Sequence, residues 1–192
     1  MALNLRESLN MKNKFWFFKT SLQWSLYSVY SLSITLLSLL FIMWWLPIFA
    51  KKDGNLPKYL YWFQTFDATL DAGWKDGYIA ENWGSSKIKR FVARVYWLYR
   101  NPCYGFDYFL FGKEFDITKI VYIDFVNSDE KTVFICEGTD YFNIFYENSW
   151  ITLKLGWKAY NNFNDETKTF SYGSWGRRIP LCCSIEFRGI NK

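Results

Sequence analysis

The stretch that decides the fold runs from residue 117 to residue 157 and reads ITKIVYIDFVNSDEKTVFICEGTDYFNIFYENSWITLKLGW. β-Branched and aromatic residues fill its short runs, and polar turns at 127–130 and 138–140 separate those runs. This pattern is typical of antiparallel strands that follow one another in a meander. Similar runs at 168–172 and 182–187 extend the prediction to about five or six strands in one sheet.

A helical pattern precedes these strands. Between Ser85 and Arg100 apolar residues recur at steps of three and four, with Arg90 and Arg94 among the basic residues between them. Ser85 and Ser86 are candidate N-caps, and the Asn101-Pro102 pair ends the helix. We expect this helix to cover a face of the sheet, with its basic side either solvated or directed at anionic lipid headgroups.

Residues 20–50 form a hydrophobic segment that contains no charged side chain. The segment is longer than the roughly 20 apolar residues that a membrane helix needs, so it predicts an uncleaved membrane anchor. A hairpin that returns to the same side and a buried core helix are the alternatives. Ser28, Ser31 and Ser38 are candidates for a helix-packing face. The residues expected to contact the membrane are Trp24, Leu36, Leu40, Phe41, Trp44 and Trp45.

These features divide the chain into four parts. They are a basic N-terminal segment (1–19), a hydrophobic membrane segment (20–50), an aromatic and acidic loop region (51–84) and a helix-plus-strand domain (85–192). The predicted fold class is α+β: an N-terminal membrane helix or hairpin, followed by a small domain of one amphipathic helix and an antiparallel β-meander.

The composition excludes several kinds of chemistry. The 192 residues include no histidine, which removes Ser-His-Asp and Cys-His catalysis and imidazole-bound zinc. Aromatic residues make up 23% of the chain, so most of it is folded rather than disordered. The net charge of +5 is too small for a dedicated nucleic-acid binder. The four cysteines form no CxxC pair, and we expect buried free thiols and no cofactor.

The loop region 51–84 contains a sparse acidic cluster of Asp67, Asp71 and Asp76. Carboxylates are the ligands that hard cations prefer, but this spacing lacks the glycine and the alternation of a calcium loop. Turn formation and helix capping are therefore the favoured interpretation, and Asp67 and Asp71 remain candidates for an interaction surface. A short helix is expected around 57–63.

Three phrases carry a resemblance to known proteins. They are Leu56-Pro57 followed by WFQTFD (62–67), WLYRNPCYGFD (97–107) and LGWK (155–158). Together with the hydrophobic segment, they make the chain resemble a family of small uncharacterised proteins of tailed bacteriophages. The resemblance implies a phage origin and a bacterial inner-membrane setting, and it implies no reaction. Within the second phrase, Arg100, Asn101 and Tyr104 form either a structural corner or a recognition site that faces a ligand.

We therefore expect a non-enzymatic accessory protein, anchored in the inner membrane of the infected host, that binds an envelope or phage protein. Its partners would be the lipid bilayer and that protein, with no nucleic acid. One alternative is a lysis-related protein that permeabilises the membrane as a homo-oligomer. Others are a virion or genome-delivery component and an enzyme that uses carboxylates or a thiolate.

Overall fold

The structure is a computed structural model that describes residues 2–72, 86–172 and 176–188, with side chains from residue 16 onward. The chain folds into two compact units. The first unit contains residues 1–28 and 112–192, and the second contains residues 29–111. Asp76 and Ser85 lie outside the described residues.

The helices and strands follow the α+β order that the sequence predicts. Helix α1 spans Ala2–Phe41 and helix α2 spans Lys87–Arg100. The strands are β1 (Lys113–Glu114), β2 (Ile120–Asn127), β3 (Lys131–Gly138), β4 (Phe142–Asn148), β5 (Ile151–Trp157), β6 (Phe163–Asn164), β7 (Thr169–Phe170), β8 (Arg178–Ile179) and β9 (Leu181–Phe187).

Helix α1 is continuous, so the hairpin considered for the hydrophobic segment is not formed between residues 20 and 41. Turns follow at 42–45, and a 3-10 helix at Leu46–Phe49 begins with Pro47 in its first turn. Proline is tolerated there because the first N–H groups of a helix have no intrahelical partner. The hydrophobic segment is thus one long helix with a short turn of 3-10 helix after it.

The first unit is built on a five-stranded antiparallel sheet with the order β2-β3-β4-β5-β9. Phe134, Phe145, Lys154 and Ser184 are register partners across four strands and so lie on one face. Phe134 and Phe145 on this face are buried, and Phe145 stacks on Tyr160 with ring centroids 4.3 Å apart. We call it the covered face.

The opposite face of the sheet is also apolar but less enclosed. At one end, Phe142 is buried beneath Phe17 and Trp24 of α1, with ring centroids 5.7 Å away in each case. Toward the other end, Ile185 and Phe187 of the edge strand β9 are 57% and 68% exposed. α1 therefore covers part of this face, and apolar side chains remain exposed on the rest.

Gly156 is required by the packing of strands β4 and β5. Its φ is +95°, and a Cβ at this position would lie 2.0 Å from the main-chain oxygen of Phe142. Gly156 belongs to the LGWK phrase, and a glycine within a strand often marks a close approach of another backbone. The structure shows that the neighbour is the Phe142 carbonyl.

The second unit packs α2 around a small apolar core. Ser86 caps α2 by accepting a hydrogen bond from the Lys89 N–H, as its position before the helix predicts. The buried residues of this core are Met43, Leu46, Leu56, Leu70, Leu98 and Cys103. α2 therefore belongs with residues 29–111, whereas the sequence pattern grouped it with the strands in 85–192. An apolar stripe shows that a helix packs on something but does not identify the element.

Two further segments complete the second unit. Residues Lys58–Phe63 form the expected short helix, which is of the 3-10 type. After α2, Cys103 has a left-handed conformation, with φ of +57°. Gly105 is helical, and glycine is required there because a Cβ would lie 2.5 Å from the main-chain oxygen of Tyr61.

Candidate functional site: the outer face of the first helix

The polar and apolar faces of α1 are the reverse of those of a soluble surface helix. Thr20 and Ser38 are 5% and 1% exposed, and Gln23, Ser31 and Thr35 on the same face are half-buried. These positions recur at three- and four-residue steps, so they form one face of the helix. A surface helix of a soluble protein normally turns its apolar face to the core and its polar face to water.

In the first unit, this inward face makes specific contacts. Gln23 Oε1 accepts a 2.8 Å hydrogen bond from Nζ of Lys113. The indole Nε1 of Trp24 donates a 3.0 Å hydrogen bond to the main-chain oxygen of Cys182 on β9. Gln23 and Trp24 are thus paired, which removes most of the cost of burying their polar atoms, whereas the Oγ of Ser28 is buried without a hydrogen-bond partner.

In the second unit, the inward face is held in the same manner. Ser31 Oγ donates a 2.6 Å hydrogen bond to Oδ1 of Asp107. The Tyr99 hydroxyl donates at 2.7 Å to the main-chain oxygen of Leu39. Ser31 and Ser38 thus lie on a packing face, as predicted, although they pack on the rest of their own chain.

The opposite side of α1 is apolar and exposed. We call it the outer stripe and define it as Phe18, Leu22, Leu26, Val29, Leu36 and Leu40, each of which is more than half exposed. The serines on this side hide their hydroxyls, because Ser25 Oγ donates to the Ser21 carbonyl at 2.9 Å and Ser33 Oγ to the Val29 carbonyl at 2.8 Å. Such back-bonding is how Ser is accommodated on a helix in lipid.

Aromatic and basic residues follow the outer stripe at its C-terminal end. Phe41, Trp44 and Trp45 are 67%, 55% and 63% exposed, and Lys51 and Lys52 come shortly after them and are exposed. Tryptophan favours the headgroup region of a bilayer, and lysine reaches the aqueous side of it.

Five of the six residues expected at the membrane are exposed on this surface: Leu36, Leu40, Phe41, Trp44 and Trp45. Trp24 is the exception, because its ring packs edge-on against Phe142 and its N–H is bonded to Cys182. Within the described residues, Trp16–Phe41 is long and apolar enough to cross a membrane, and 6% of its most apolar 18-residue window is buried.

An ion-pair cluster around the buried Asp71 lies in the second unit. Asp71 is 7% exposed, and both of its carboxylate oxygens accept hydrogen bonds from Arg94, at 2.7 and 3.0 Å, and also from Arg90. Burial by itself would raise the pKa of Asp71, but the hydrogen bonds from Arg94 and Arg90 outweigh it and hold that pKa well below its usual range. Arg90 and Arg94 therefore face Asp71, and not lipid headgroups as one interpretation of α2 expected.

Asp67 is exposed at the rim of a pocket of about 340 Å³ in the second unit. The polar side chains of this pocket satisfy one another, since Tyr61 Oη and Gln64 Nε2 both donate to Asn55 Oδ1 at 3.0 Å. Asp71 is committed to its arginines, so Asp67 and Asp71 do not form a shared cation site. Among the described residues, no group of three or more His, Cys, Asp or Glu residues is arranged to hold a metal ion.

The corner after α2 is held by contacts within the chain. Asn101 caps the helix, and its Nδ2 donates to the Trp97 carbonyl at 3.3 Å. The guanidinium of Arg100 lies 6.0 Å from the centroid of the Trp97 ring. Tyr104 is half-buried. These contacts describe a structural corner, and the alternative of a recognition site gains no separate support from them.

The sequence analysis missed Lys113. Besides Gln23, its Nζ donates to the Asp140 carbonyl, and it lies 4.1 Å from the centroid of the Trp157 ring. Burial lowers the pKa of Lys113 to about 8, although the nearby Asp140 carboxylate opposes that shift and Lys19 adds to it. Its hydrogen-bond partners are 27 and 90 residues away in sequence, so no local pattern reveals them.

The four cysteines are thiols that form no disulfide with one another. Cys103, Cys136 and Cys182 are buried, whereas Cys183 is exposed on β9. Burial raises the pKa of Cys103 to about 11 and that of Cys136 to about 12, so both are protonated at neutral pH.

Comparison with known proteins identifies the family of the chain. The model of a family of unknown function, DUF7338, matches residues 15–190, and the chain therefore belongs to that family. No curated protein and no solved structure matches the chain. The matched range includes the outer stripe of α1 as well as the whole five-stranded sheet.

Proposed function

We propose that this member of DUF7338 attaches to a lipid membrane through the outer stripe of α1 and acts by binding another protein. The single observation that carries the proposal is the reversed polarity of α1. Among its described side chains, Gln23 and Ser31 on the inward face form hydrogen bonds within the protein, and the apolar side chains of the outer stripe are exposed. Exposed apolar surface of this extent is costly in water and is a mark of membrane or protein contact.

Flotation with vesicles tests the membrane attachment. The stripe variant is the double substitution Leu26→Glu with Leu36→Glu, and the control is Ile88→Glu with Tyr59→Glu, at positions that are 77% and 72% exposed elsewhere in the second unit. Wild type and control are expected to float with phosphatidylethanolamine–phosphatidylglycerol vesicles, while the stripe variant stays in the dense fraction. Each carboxylate placed among acyl chains costs a few kcal/mol, so two of them prevent insertion.

Circular dichroism of all three proteins checks that the substitutions leave the fold intact. Wild-type protein that stays in the dense fraction contradicts the proposal. So does a folded stripe variant that floats as well as wild type.

The setting we propose is the inner membrane of a phage-infected bacterium, with an envelope or phage protein as the partner. This part rests on the resemblance of the RNPCYGF and LGWK phrases to phage proteins. The exposed Trp150, Ile185 and Phe187 at one end of the sheet support a protein partner, because large apolar side chains dominate protein interfaces.

Photo-crosslinking tests the protein partner. A benzophenone amino acid replaces Phe187 in one variant and, in the control, the exposed Thr139 in the turn between β3 and β4 at the opposite end of the sheet. A discrete crosslinked product from position 187 and none from position 139, in infected cells, is the expected result. Equal labelling from both positions, or none from either, contradicts a partner at this end of the sheet.

A further inference from the structure

We infer that α1 lies in the plane of the membrane, with its outer stripe among the acyl chains of one leaflet, and does not cross the bilayer. The inference rests on the proposed membrane attachment and specifies its geometry. The in-plane geometry follows from the polar groups that are hydrogen-bonded to the inward face of α1. If α1 crossed the bilayer, these groups would lie deep in the hydrocarbon.

The apolar part of α1 is only a little longer than a bilayer crossing requires, so a crossing could be centred on few of its residues. A bilayer core of about 30 Å needs about 20 helical residues at 1.5 Å per residue. Helix α1 ends at Phe41 and gives way to turns. A crossing centred on Trp16–Phe41 would therefore put Trp24 several ångströms inside the hydrocarbon and Ser31 close to its middle.

In the first unit, the position of the sheet edge is incompatible with a helix that crosses the bilayer. Trp24 is bonded to the main chain of Cys182, which belongs to β9, the last strand in the sheet order. Open sheet edges do not occur in the hydrocarbon region, because each unsatisfied N–H or C=O there costs several kcal/mol. The neighbouring Gln23 is bonded to the amine of Lys113, which a crossing would also place in lipid.

In the second unit, the carboxyl group of Asp107 is a separate argument against a crossing helix. Ser31 donates to Asp107, whose side chain would lie near the bilayer midplane if α1 crossed. Charged residues at that depth are rare, because transfer of a charge from water into hydrocarbon is strongly unfavourable. Separate contacts in each unit therefore argue against a crossing helix.

An in-plane helix satisfies all of these contacts. Typical helices of this kind have a charged face toward water. The inward face of α1 is instead covered by the rest of the protein, so it carries Thr, Ser and Gln and does not need charged side chains. The exposed Trp44 and Trp45 and the lysines after them then lie at headgroup level, at one end of the stripe.

Spin labels along the outer stripe test the geometry. The labels are attached at Leu22→Cys, Val29→Cys, Leu36→Cys and Leu40→Cys, one per protein, in full-length Cys183→Ser protein whose remaining cysteines are buried. Depth in phosphatidylethanolamine–phosphatidylglycerol vesicles is read from the relative accessibility to oxygen and to a water-soluble nickel chelate. Ile88→Cys, on an exposed site of α2, is the aqueous control.

The expected result is one shared depth, about 5–10 Å below the headgroups, at all four stripe positions. A crossing helix predicts a different profile, because positions 22 and 40 are about 27 Å apart along the axis. A deep label at 29, with shallower labels at 22 and 36 and the shallowest at 40, would overturn the in-plane helix and leave membrane attachment standing.

Two other outcomes also overturn it. If all four labels report water and the protein does not float with vesicles, both the in-plane helix and the proposed attachment fail. If the protein is soluble and labels on two copies lie within about 20 Å, the outer stripe is covered by a second copy of this chain, which is how a soluble protein hides such a surface.

Discussion

Trp24 and Cys182 are joined by a hydrogen bond of 3.0 Å from the indole Nε1 to a main-chain oxygen, across 158 residues of sequence. The bond links the middle of a long apolar helix to the edge strand of the β-sheet. It uses the only polar atom of the Trp24 side chain and satisfies one main-chain group of β9. It also fixes which face of α1 is turned inward in the first unit.

Replacing Trp24 by Phe should lower the free energy of unfolding by about 1 kcal/mol, because the ring contact with Phe142 is largely kept and the hydrogen bond is lost. Equilibrium urea unfolding in mild detergent measures the change. Trp150→Phe, at a residue that is 70% exposed, is the matched control and should stay within about 0.5 kcal/mol of wild type. Equal effects of the two substitutions would show that the hydrogen bond contributes nothing.

Replacing Asp71 by Asn should destabilise the second unit by about 3 kcal/mol, because Arg94 would lose its charged partner in a largely buried position. The exposed Asp67→Asn is the control, with an expected change within about 0.5 kcal/mol. The folded pKa of Asp71 lies below its unfolded value, so its contribution is present above about pH 4 and is lost as pH falls further. Urea unfolding at pH 7 and at pH 3 should show the difference between wild type and Asp71→Asn shrinking at the lower pH.

How much of the structure can be predicted from the sequence depends on the range of each interaction. The strands are predictable because their alternation and their turns are local signals. The cluster of Asp71 with Arg90 and Arg94 is not, because its members are 19 and 23 residues apart and belong to different regions of the sequence pattern. The reversed polarity of α1 is only partly predictable, because the serines indicate a packing face but not what packs on it. Ser and Thr are only weakly polar and Gln23 is a single amide, so the segment still has the overall hydropathy of a membrane helix.

The glycine at position 156 gives a sharp test of the sheet. Gly156→Ala should cost at least about 3 kcal/mol, because the residue has a positive φ and the new Cβ would meet the Phe142 carbonyl at 2.0 Å. Gly176→Ala is the matched control, with φ of +69° and no atom within 4 Å of the new Cβ. It should cost only the backbone term of about 1–2 kcal/mol. If urea unfolding gives the same loss for both, the close approach of β4 and β5 is not as described.

The amine of Lys113 should make stability depend on pH between about 8 and 10. Its folded pKa of about 8 lies below the unfolded value of about 10.4, so in this range the unfolded chain binds the extra proton. Stability therefore rises with pH, and it is reduced below pH 8, where the buried amine must be charged. Lys113→Met removes this term and keeps a side chain of similar length over the Trp157 ring.

The measurement is the difference in free energy of unfolding between wild type and Lys113→Met at pH 7.5, 8.5 and 9.5. Taking the difference cancels the titration of Tyr141, Cys103 and Cys136, whose pKa values burial also raises in both proteins. The free energy of unfolding of wild type should increase relative to that of Lys113→Met as the pH increases. For the control Lys131→Met, at an exposed position, the difference in free energy of unfolding from wild type should stay constant over the same pH values. A constant difference for Lys113→Met would mean that its amine is as well solvated in the folded protein as in the unfolded chain, and that its bond to Gln23 is made in water.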